Sequence, residues 1–100
     1  MIYEIAEIHV VAGKEKDFEA AVQKAVPLFQ RARGCRSMEL QRTVETATKY
    51  RLVVGWDTVE DHMVHFRGSP GFQEWRRLVG GFFQGGPPVV DHTEVAVRGF

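Results

Sequence analysis

The sequence predicts one α+β domain in which two strand–helix–strand units form a four-stranded antiparallel sheet with helices on one face. Three observations predict this fold class. The length of 100 residues suits a single domain, residues 1–100. Stretches rich in β-branched and aromatic residues alternate with stretches of helical periodicity. The resulting order is strand, helix, strand, strand, helix, strand, which is the ferredoxin-like split βαβ arrangement.

The first unit begins with residues 2–11, IYEIAEIHVV, whose β-branched and aromatic content predicts a strand. Within residues 14–33 apolar side chains recur at steps of three and four, which predicts an amphipathic helix with Gly34 as its C-cap. Pro27 lies inside this pattern and removes one backbone hydrogen bond, so we expect a kink or a loosened turn there.

The middle of the chain predicts a hairpin followed by a short helix. Residues 35–45 and 49–56 are two extended runs with a short connection, so they should pair antiparallel. Asp57 and Thr58 are good N-cap residues, and each has an acidic residue three positions later. A short helix should therefore span residues 59–67.

The last third of the chain predicts another helix and a final strand. Ser69 can cap a helix, and Pro70 suits its first turn. Residues 80–88 contain two glycine pairs and two prolines and should interrupt regular structure, after which residues 89–98 form the last strand.

The first strand has apolar side chains on both faces, so neither face is suited to water. A small domain also buries a limited share of its surface, and a second copy would help to stabilise it. We therefore expect a homodimer. The two faces carry Ile2, Ala6, Ile8 and Val10 on one side, and Tyr3, Ile5 and Val11 on the other.

Composition argues against several classes of partner. The chain has 13 basic and 13 acidic residues, with the arginines scattered, which argues against nucleic acid or an anionic membrane as a main partner. Its apolar stretches are too short to cross a bilayer, and the N-terminus has no signal-like region, so we expect a cytoplasmic protein. Cys35 is the single cysteine, which excludes an intrachain disulfide and a CxxC metal motif.

An ordered set of short motifs resembles the antibiotic biosynthesis monooxygenase family over nearly the whole chain. The resemblance implies a dimeric α/β barrel in which two sheets face each other and each subunit keeps a pocket between its sheet and its helices. The motifs are Gly13, Gly34-Cys35, Trp56-Asp57, His65, Ser69-Pro70-Gly71-Phe72, Pro87-Pro88-Val89 and His92.

The resemblance also implies a chemistry. The family includes cofactor-independent oxygenases of polycyclic phenols and quinols, haem-degrading enzymes and small isomerases. Removing a proton from a phenol, anthrone or quinol gives an anion that can itself pass an electron to O2, so such an oxygenase needs a base and an apolar pocket. The predicted function is a cofactor-independent monooxygenase that oxidises a small aromatic substrate with O2.

His65 is the predicted catalytic base, because imidazole titrates near neutral pH. A helical wheel places Val59, Met63 and Phe66 on the buried stripe, with His65 at a rim and His62 facing solvent. The alternative role of His65 is capping or packing. A metal site on this helix would require another histidine to converge on His62 and His65, so we predict none.

Aromatic residues and one histidine are the predicted substrate-binding set; the alternative role is packing in the core for the aromatic residues and a structural hydrogen bond for His92. The glycine pairs in residues 80–88 would let that loop open as a lid. Trp56 could donate its indole N–H to a bound oxygen atom. The predicted substrate-binding residues are Trp56, Phe72, Trp75, Phe83 and His92.

The haem-degrading members carry an asparagine, a tryptophan and a histidine where this sequence has Ala6, His65 and Trp75, so haem degradation is not expected unless His65 itself ligates iron. The glycine pairs lack the contexts of nucleotide-binding loops, so no cofactor is predicted. Two other functions stay open: an isomerase with His65 as proton shuttle, and a ligand-binding module without catalysis.

Overall fold

The computed structural model describes residues 1–100 and confirms the predicted α+β, ferredoxin-like fold. The four strands form one antiparallel sheet in the order β2-β3-β1-β4, and the helices cover one face of it. The elements are β1 (Ile2–His9), α1 (Glu15–Gln30), β2 (Cys35–Arg42), β3 (Lys49–Trp56), a π-helical segment (Asp61–Phe66), α2 (Pro70–Val79), a 3-10 turn (Gly80–Phe82) and β4 (Val89–Thr93).

The strands differ from prediction mainly at their ends. β3 has the predicted bounds, whereas β1 and β2 end earlier than predicted. β4 ends at Thr93 instead of residue 98. Thr93 pairs with Tyr3, and β1 begins at Ile2, so residues beyond Thr93 run past the end of their partner strand. Residues 94–100 therefore contain no helix or strand.

Helix α1 continues through Pro27 and ends at Gln30, three residues before the predicted end. Its C-cap is Arg31, so the prediction of Gly34 as C-cap is wrong. Gly34 has a different role. Its φ of 74° lies in the left-handed region, and a Cβ atom there would overlap the carboxylate of Asp61. The glycine thus lets the end of α1 lie directly against the π-helical segment.

The hydrophobic core lies between the sheet and the helices. Alternate residues of β3 face the helices, which is why Tyr50, Leu52, Val54 and Trp56 are all buried. Helix α2 begins as predicted, because the Ser69 hydroxyl accepts a hydrogen bond from the Phe72 backbone N–H at 3.3 Å. The helices contribute Phe18, Val22, Ala25, Phe29, Trp75 and Val79 to this core. No helix is both long and apolar enough to cross a lipid bilayer.

The short predicted helix is wound as a π-helix, and this changes which side chains are buried. The Arg67 backbone N–H donates to the carbonyl of His62, five residues earlier, at 3.1 Å. This wider turn brings His62 and Phe66 inward and leaves Val59 and Met63 41% and 38% exposed. The prediction that Val59 and Met63 are buried and that His62 faces solvent is therefore wrong. The Thr58 hydroxyl caps the segment by accepting from the Asp61 N–H at 3.0 Å, as predicted.

Candidate functional site

A cavity of about 670 Å³ lies between the helix-covered face of the sheet, helix α2 and the loop of residues 80–88. Its lining combines apolar side chains with polar and charged ones, and two buried polar side chains, Glu4 and His62, reach it from the sheet and from the π-helical segment. Such a combination is typical of small-molecule sites. The apolar walls include Ala6, Ile8, Leu52, Phe72, Trp75, Phe83, Pro88 and Val90.

Glu4 is a carboxylic acid on the buried face of β1, only 5% exposed. The indole Nε1–H of Trp56 donates to Glu4 Oε1 at 3.0 Å, and His62 Nε2 lies 3.3 Å from the same oxygen. Burial raises the pKa of Glu4 to about 7, against the smaller opposing effects of the Trp56 hydrogen bond and the positive charge of Arg67. This carboxyl can therefore exchange a proton near neutral pH.

The second oxygen of Glu4 is the one available to a ligand. Every hydrogen bond and ion pair of this side chain involves Oε1. No fully buried side-chain nitrogen or oxygen atom in the protein lacks a hydrogen-bond partner. Because Oε2 has no protein partner, it is not fully buried, and the Glu4 side chain lines the cavity.

His62 joins Glu4 to a second histidine. Its ring is 2% exposed and stacks on Trp56, with ring centroids 5.3 Å apart and planes 17° apart. Its Nδ1 lies 2.8 Å from Nε2 of His92. Burial lowers the pKa of His62 to about 4, and the charges of His92 and Arg67 act in the same direction. His62 is thus a neutral ring at neutral pH.

The side chains of Glu4, His62 and His92 follow one another from the cavity to a partly exposed position, with a 3.3 Å contact between Glu4 and His62 and a 2.8 Å hydrogen bond between His62 and His92. His92 is directly opposite Glu4 in the pairing of β4 with β1, which places both on the same face of the sheet. The hydrogen bond between the two histidines can be made in either direction. Nδ1–H of His62 can donate to His92, or Nε2–H of His92 can donate to His62, and in the second case His62 carries its proton on Nε2, the nitrogen next to Glu4.

Three of the predicted substrate-binding residues, Phe72, Trp75 and Phe83, line this cavity. Trp56 and His92 do not line it. They contact the residues that do, since Trp56 holds Glu4 and His92 holds His62. Their predicted contact with substrate stays a prediction.

His65, the predicted base, lies away from this cavity. Its side chain is 36% exposed, its Nε2 is 3.7 Å from Glu60 Oε1, and it lines a separate cavity beside Phe66 and Ser69. Its catalytic role stays a prediction that the geometry does not favour. No group of three or more His, Cys, Asp or Glu side chains is arranged to hold a metal ion.

Neither Glu4 nor His62 is among the site residues predicted from the sequence. Glu4 has a sequence signal, because it alternates with Ala6 and Ile8 and so shares their buried face. An acidic residue on a buried face is a functional-site signal. His62 has no comparable signal, since its burial depends on the π-helical turn.

Comparisons with known proteins agree with this architecture. The family model of the antibiotic biosynthesis monooxygenases matches residues 1–78, a range that includes Glu4 and His62. A Bordetella bronchiseptica crystal structure whose name assigns it to this family is 53% identical, covers 96% of this chain and 97% of its own, and has a TM-score of 0.92.

More distant relatives extend the comparison. The uncharacterized protein YczJ of Bacillus subtilis (strain 168) is 37% identical over 95 residues, which are 95% of this chain and all of YczJ. A Nitrosomonas europaea structure named for the same family is only 17% identical, yet has a TM-score of 0.81 over 95% of this chain and 89% of its own, and shows the shared fold. The family-model match and these relatives together establish that the chain belongs to the antibiotic biosynthesis monooxygenase family.

Proposed function

We propose that this protein is a cofactor-independent monooxygenase that oxidises a small aromatic substrate, a phenol, anthrone or quinol, with O2. One observation carries the proposal. Glu4, a buried carboxyl whose pKa is raised to about 7, reaches an aromatic-lined cavity and is hydrogen-bonded to Trp56. A base with a pKa near the working pH is the group that proton abstraction requires.

In the proposed reaction, Oε2 of ionised Glu4 accepts a proton from the activated C–H or O–H of the substrate. His62, which is 3.3 Å from Glu4, and its hydrogen-bonded partner His92 then pass that proton to solvent, which restores the carboxylate. We assign the base to Glu4 instead of His65 because Glu4 lines the cavity and His65 does not.

The oxidation itself balances with O2 alone. The substrate anion, for example an anthrone deprotonated at its CH2 carbon, passes one electron to O2, and the two radicals combine into a carbon-bound peroxide that takes up a proton. Loss of the second C–H proton breaks the O–O bond, forms the carbonyl and releases water. One oxygen atom enters the product, the other leaves as water, and the CH2 group loses four electrons.

The cavity walls suit a flat substrate. Phe72, Trp75 and Phe83 supply aromatic surface. On the sheet side of the cavity, Ala6 and Leu52 supply apolar surface. An apolar wall limits the water that would otherwise protonate the substrate anion or quench the radical pair.

Oxygen uptake by metal-stripped protein tests the proposal. The wild type should consume O2 with members of a panel of anthrones, naphthoquinols and catechols, measured against a protein-free reaction. Glu4→Gln keeps an oxygen that can accept from Trp56 but cannot take the proton, so its rate should fall by about 10²- to 10⁴-fold. His65→Ala is the matched control and should retain most of the rate.

The outcomes separate the two candidate bases. A collapse in Glu4→Gln with little change in His65→Ala supports Glu4. The reverse pattern would contradict this assignment and support the predicted role of His65. No uptake with any substrate would contradict the monooxygenase itself.

A second candidate function is isomerisation of a small oxygenated metabolite. It is favoured by the grouping of Glu4, His62 and His92, because a base that passes its proton to a neighbouring ring can return it to another carbon. An isomerase would exchange solvent deuterium into its substrate without consuming O2. A ligand-binding module would do neither.

We also propose that the protein is a homodimer that buries the uncovered face of the sheet, as in a dimeric α/β barrel. Tyr3, Ile5 and Val53 supply apolar surface to that face. Val97, which follows the last strand, is 85% exposed and is not covered by the rest of the chain. Sedimentation at micromolar concentration should give a dimer, and Ile5→Lys should shift it to monomer. A monomeric wild type would contradict the proposal.

A further inference from the structure

Three arginines line the same cavity as Glu4, and they differ in their partners. Arg77 is held by Glu74 through two hydrogen bonds of 2.6 Å each. Arg67 and Arg76 form no ion pair with any carboxylate. Each instead has its guanidinium carbon 5.9 Å from the ring centroid of Phe72, which is itself part of the cavity wall.

This arrangement leaves the cavity entrance positively charged. Glu74, the acidic side chain on α2, already satisfies Arg77. Glu4 is the acidic group inside the cavity, and it has no ion pair with either free arginine. The guanidinium groups of Arg67 and Arg76 therefore both lie near the ring of Phe72, and neither is paired with a carboxylate. Guanidinium groups in such a position present fixed donors that match a carboxylate bidentately.

We propose that the cavity takes an aromatic substrate that carries a carboxylate, with this group held by Arg67 and Arg76 and the ring against the apolar walls. The inference rests on the proposed function and names the substrate class of that same site. The oxidisable carbon or hydroxyl would then point away from the arginines and toward Glu4.

The placement also fits the proposed proton transfer. Arg67 is close enough to Glu4 and His62 for its charge to lower the pKa of both groups. The same charge also attracts an anionic substrate, and because Arg67 is exposed, water and salt partly screen this attraction. A neutral substrate would use the apolar walls but leave both guanidiniums unpaired.

Binding of two closely matched probes tests the inference without any turnover. The probes are 4-hydroxy-1-naphthoate and its methyl ester, titrated anaerobically into the full-length protein by calorimetry at low salt. The carboxylate should bind about tenfold more tightly than the ester, a difference that a charge-assisted pair readily supplies. Added salt should reduce the preference, because exposed charges are screened.

Charge-matched variants locate the effect. Arg67→Gln and Arg76→Gln should each weaken the carboxylate by about five- to tenfold and leave the ester nearly unchanged. Lys24→Gln makes the same change in net charge, but Lys24 is exposed on α1 and does not line the cavity, so this control should bind as the wild type does.

Equal affinities for the two probes, or an equal loss in Lys24→Gln, would overturn the inference. A carboxylate preference that depends on Arg67 and Arg76 in a protein that consumes no O2 would support the inference and contradict the proposed function. Oxidation of neutral substrates by a protein that shows no carboxylate preference would support the proposed function and contradict the inference.

Discussion

His62 and His65 are three residues apart on one short segment, yet the structure gives them opposite environments. The His62 ring is 2% exposed, stacks on Trp56 and contacts Glu4 and His92. The His65 side chain is 36% exposed, and its charged neighbour is the exposed Glu60 at 3.7 Å. Residue type and sequence position hardly distinguish the two. The difference comes from the turn of the π-helix and from what packs against each ring.

The comparison shows why pKa and position have to be considered together. An imidazole that titrates near pH 7 looks suited to proton transfer, and this is what pointed to His65. In the folded protein, the group beside the cavity whose pKa lies near 7 is the carboxyl of Glu4, because burial raises its pKa. The neighbouring imidazole is moved out of the range by the same burial.

The largest expected effect on stability separates the two histidines directly. His62→Ala removes a buried ring from between Trp56 and His92 and leaves Glu4 with one partner fewer, so the free energy of unfolding should fall by about 3 kcal/mol. His65→Ala should change it by less than about 0.5 kcal/mol, as exposed substitutions usually do. Urea denaturation of both variants measures the two losses. Similar losses of stability in the two variants would contradict the different environments of His62 and His65.

A comparable effect is expected from the titration of Glu4. Its pKa rises from about 4.5 to about 7 on folding, so its stabilising contribution is complete below pH 4.5 and is lost as the pH rises through 7. Each pKa unit corresponds to about 1.4 kcal/mol, so wild type should lose up to roughly 3 kcal/mol relative to Glu4→Gln between these pH values. Parallel stability curves for the two proteins would contradict the buried, proton-binding carboxyl.

The titration of His62 should have the opposite sign. Its pKa falls from about 6.5 to about 4 on folding, so its contribution is present above pH 6.5 and is lost as the pH falls through 4. Relative to His62→Gln, wild type should therefore lose stability on acidification over that range. Chemical denaturation at several pH values, compared between the two proteins, gives the sign.

A smaller effect is expected where α1 meets the π-helical segment. Gly34→Ala adds a methyl group that overlaps the Asp61 carboxylate at a positive φ, and should cost about 2 kcal/mol and disturb the position of His62. Gly85→Ala is the control, because Gly85 also has a positive φ but faces open space, so only the cost of about 1 kcal/mol for the backbone applies. Thermal unfolding compares them. Equal losses would show that the contact with Asp61 is unimportant.

The smallest effect is expected for the ion pair between Arg33 and Asp61. The two side chains are 3.5 Å apart, and Arg33 is 73% exposed. Arg33→Ala should therefore cost less than about 1 kcal/mol and leave the environment of His62 unchanged. An NMR titration of the His62 ring in this variant checks the second point.

Much of the fold could be predicted from local signals. The bounds of β3 follow from an unbroken extended run, and the start of α2 follows from Ser69 and Pro70, whose cap the structure contains. The ends of β4 and α1 could not be predicted in the same way. β4 stops where its partner strand β1 begins, which is a property of the pairing and not of residues 94–98.

The candidate site, like the fold, has one part that the sequence predicts and another part that it does not. Phe72, Trp75 and Phe83 were predicted and line the cavity, because aromatic residues at helical spacing and in a glycine-rich loop are visible in the sequence. The burial of Glu4 was also readable from strand alternation. The pairing of Glu4 with His62 joins residues 58 positions apart, and no local pattern reports such a contact.

By itself, the sequence determined the order of strands and helices, their approximate extents and the family to which the chain belongs, because periodicity, caps and turn residues act over a few neighbouring positions. The tertiary structure alone decided which histidine is buried. That choice depends on a π-helical turn packed against Gly34 and on the Trp56 ring beneath His62. It also decided that a glutamate has a pKa near 7, since the cause is burial.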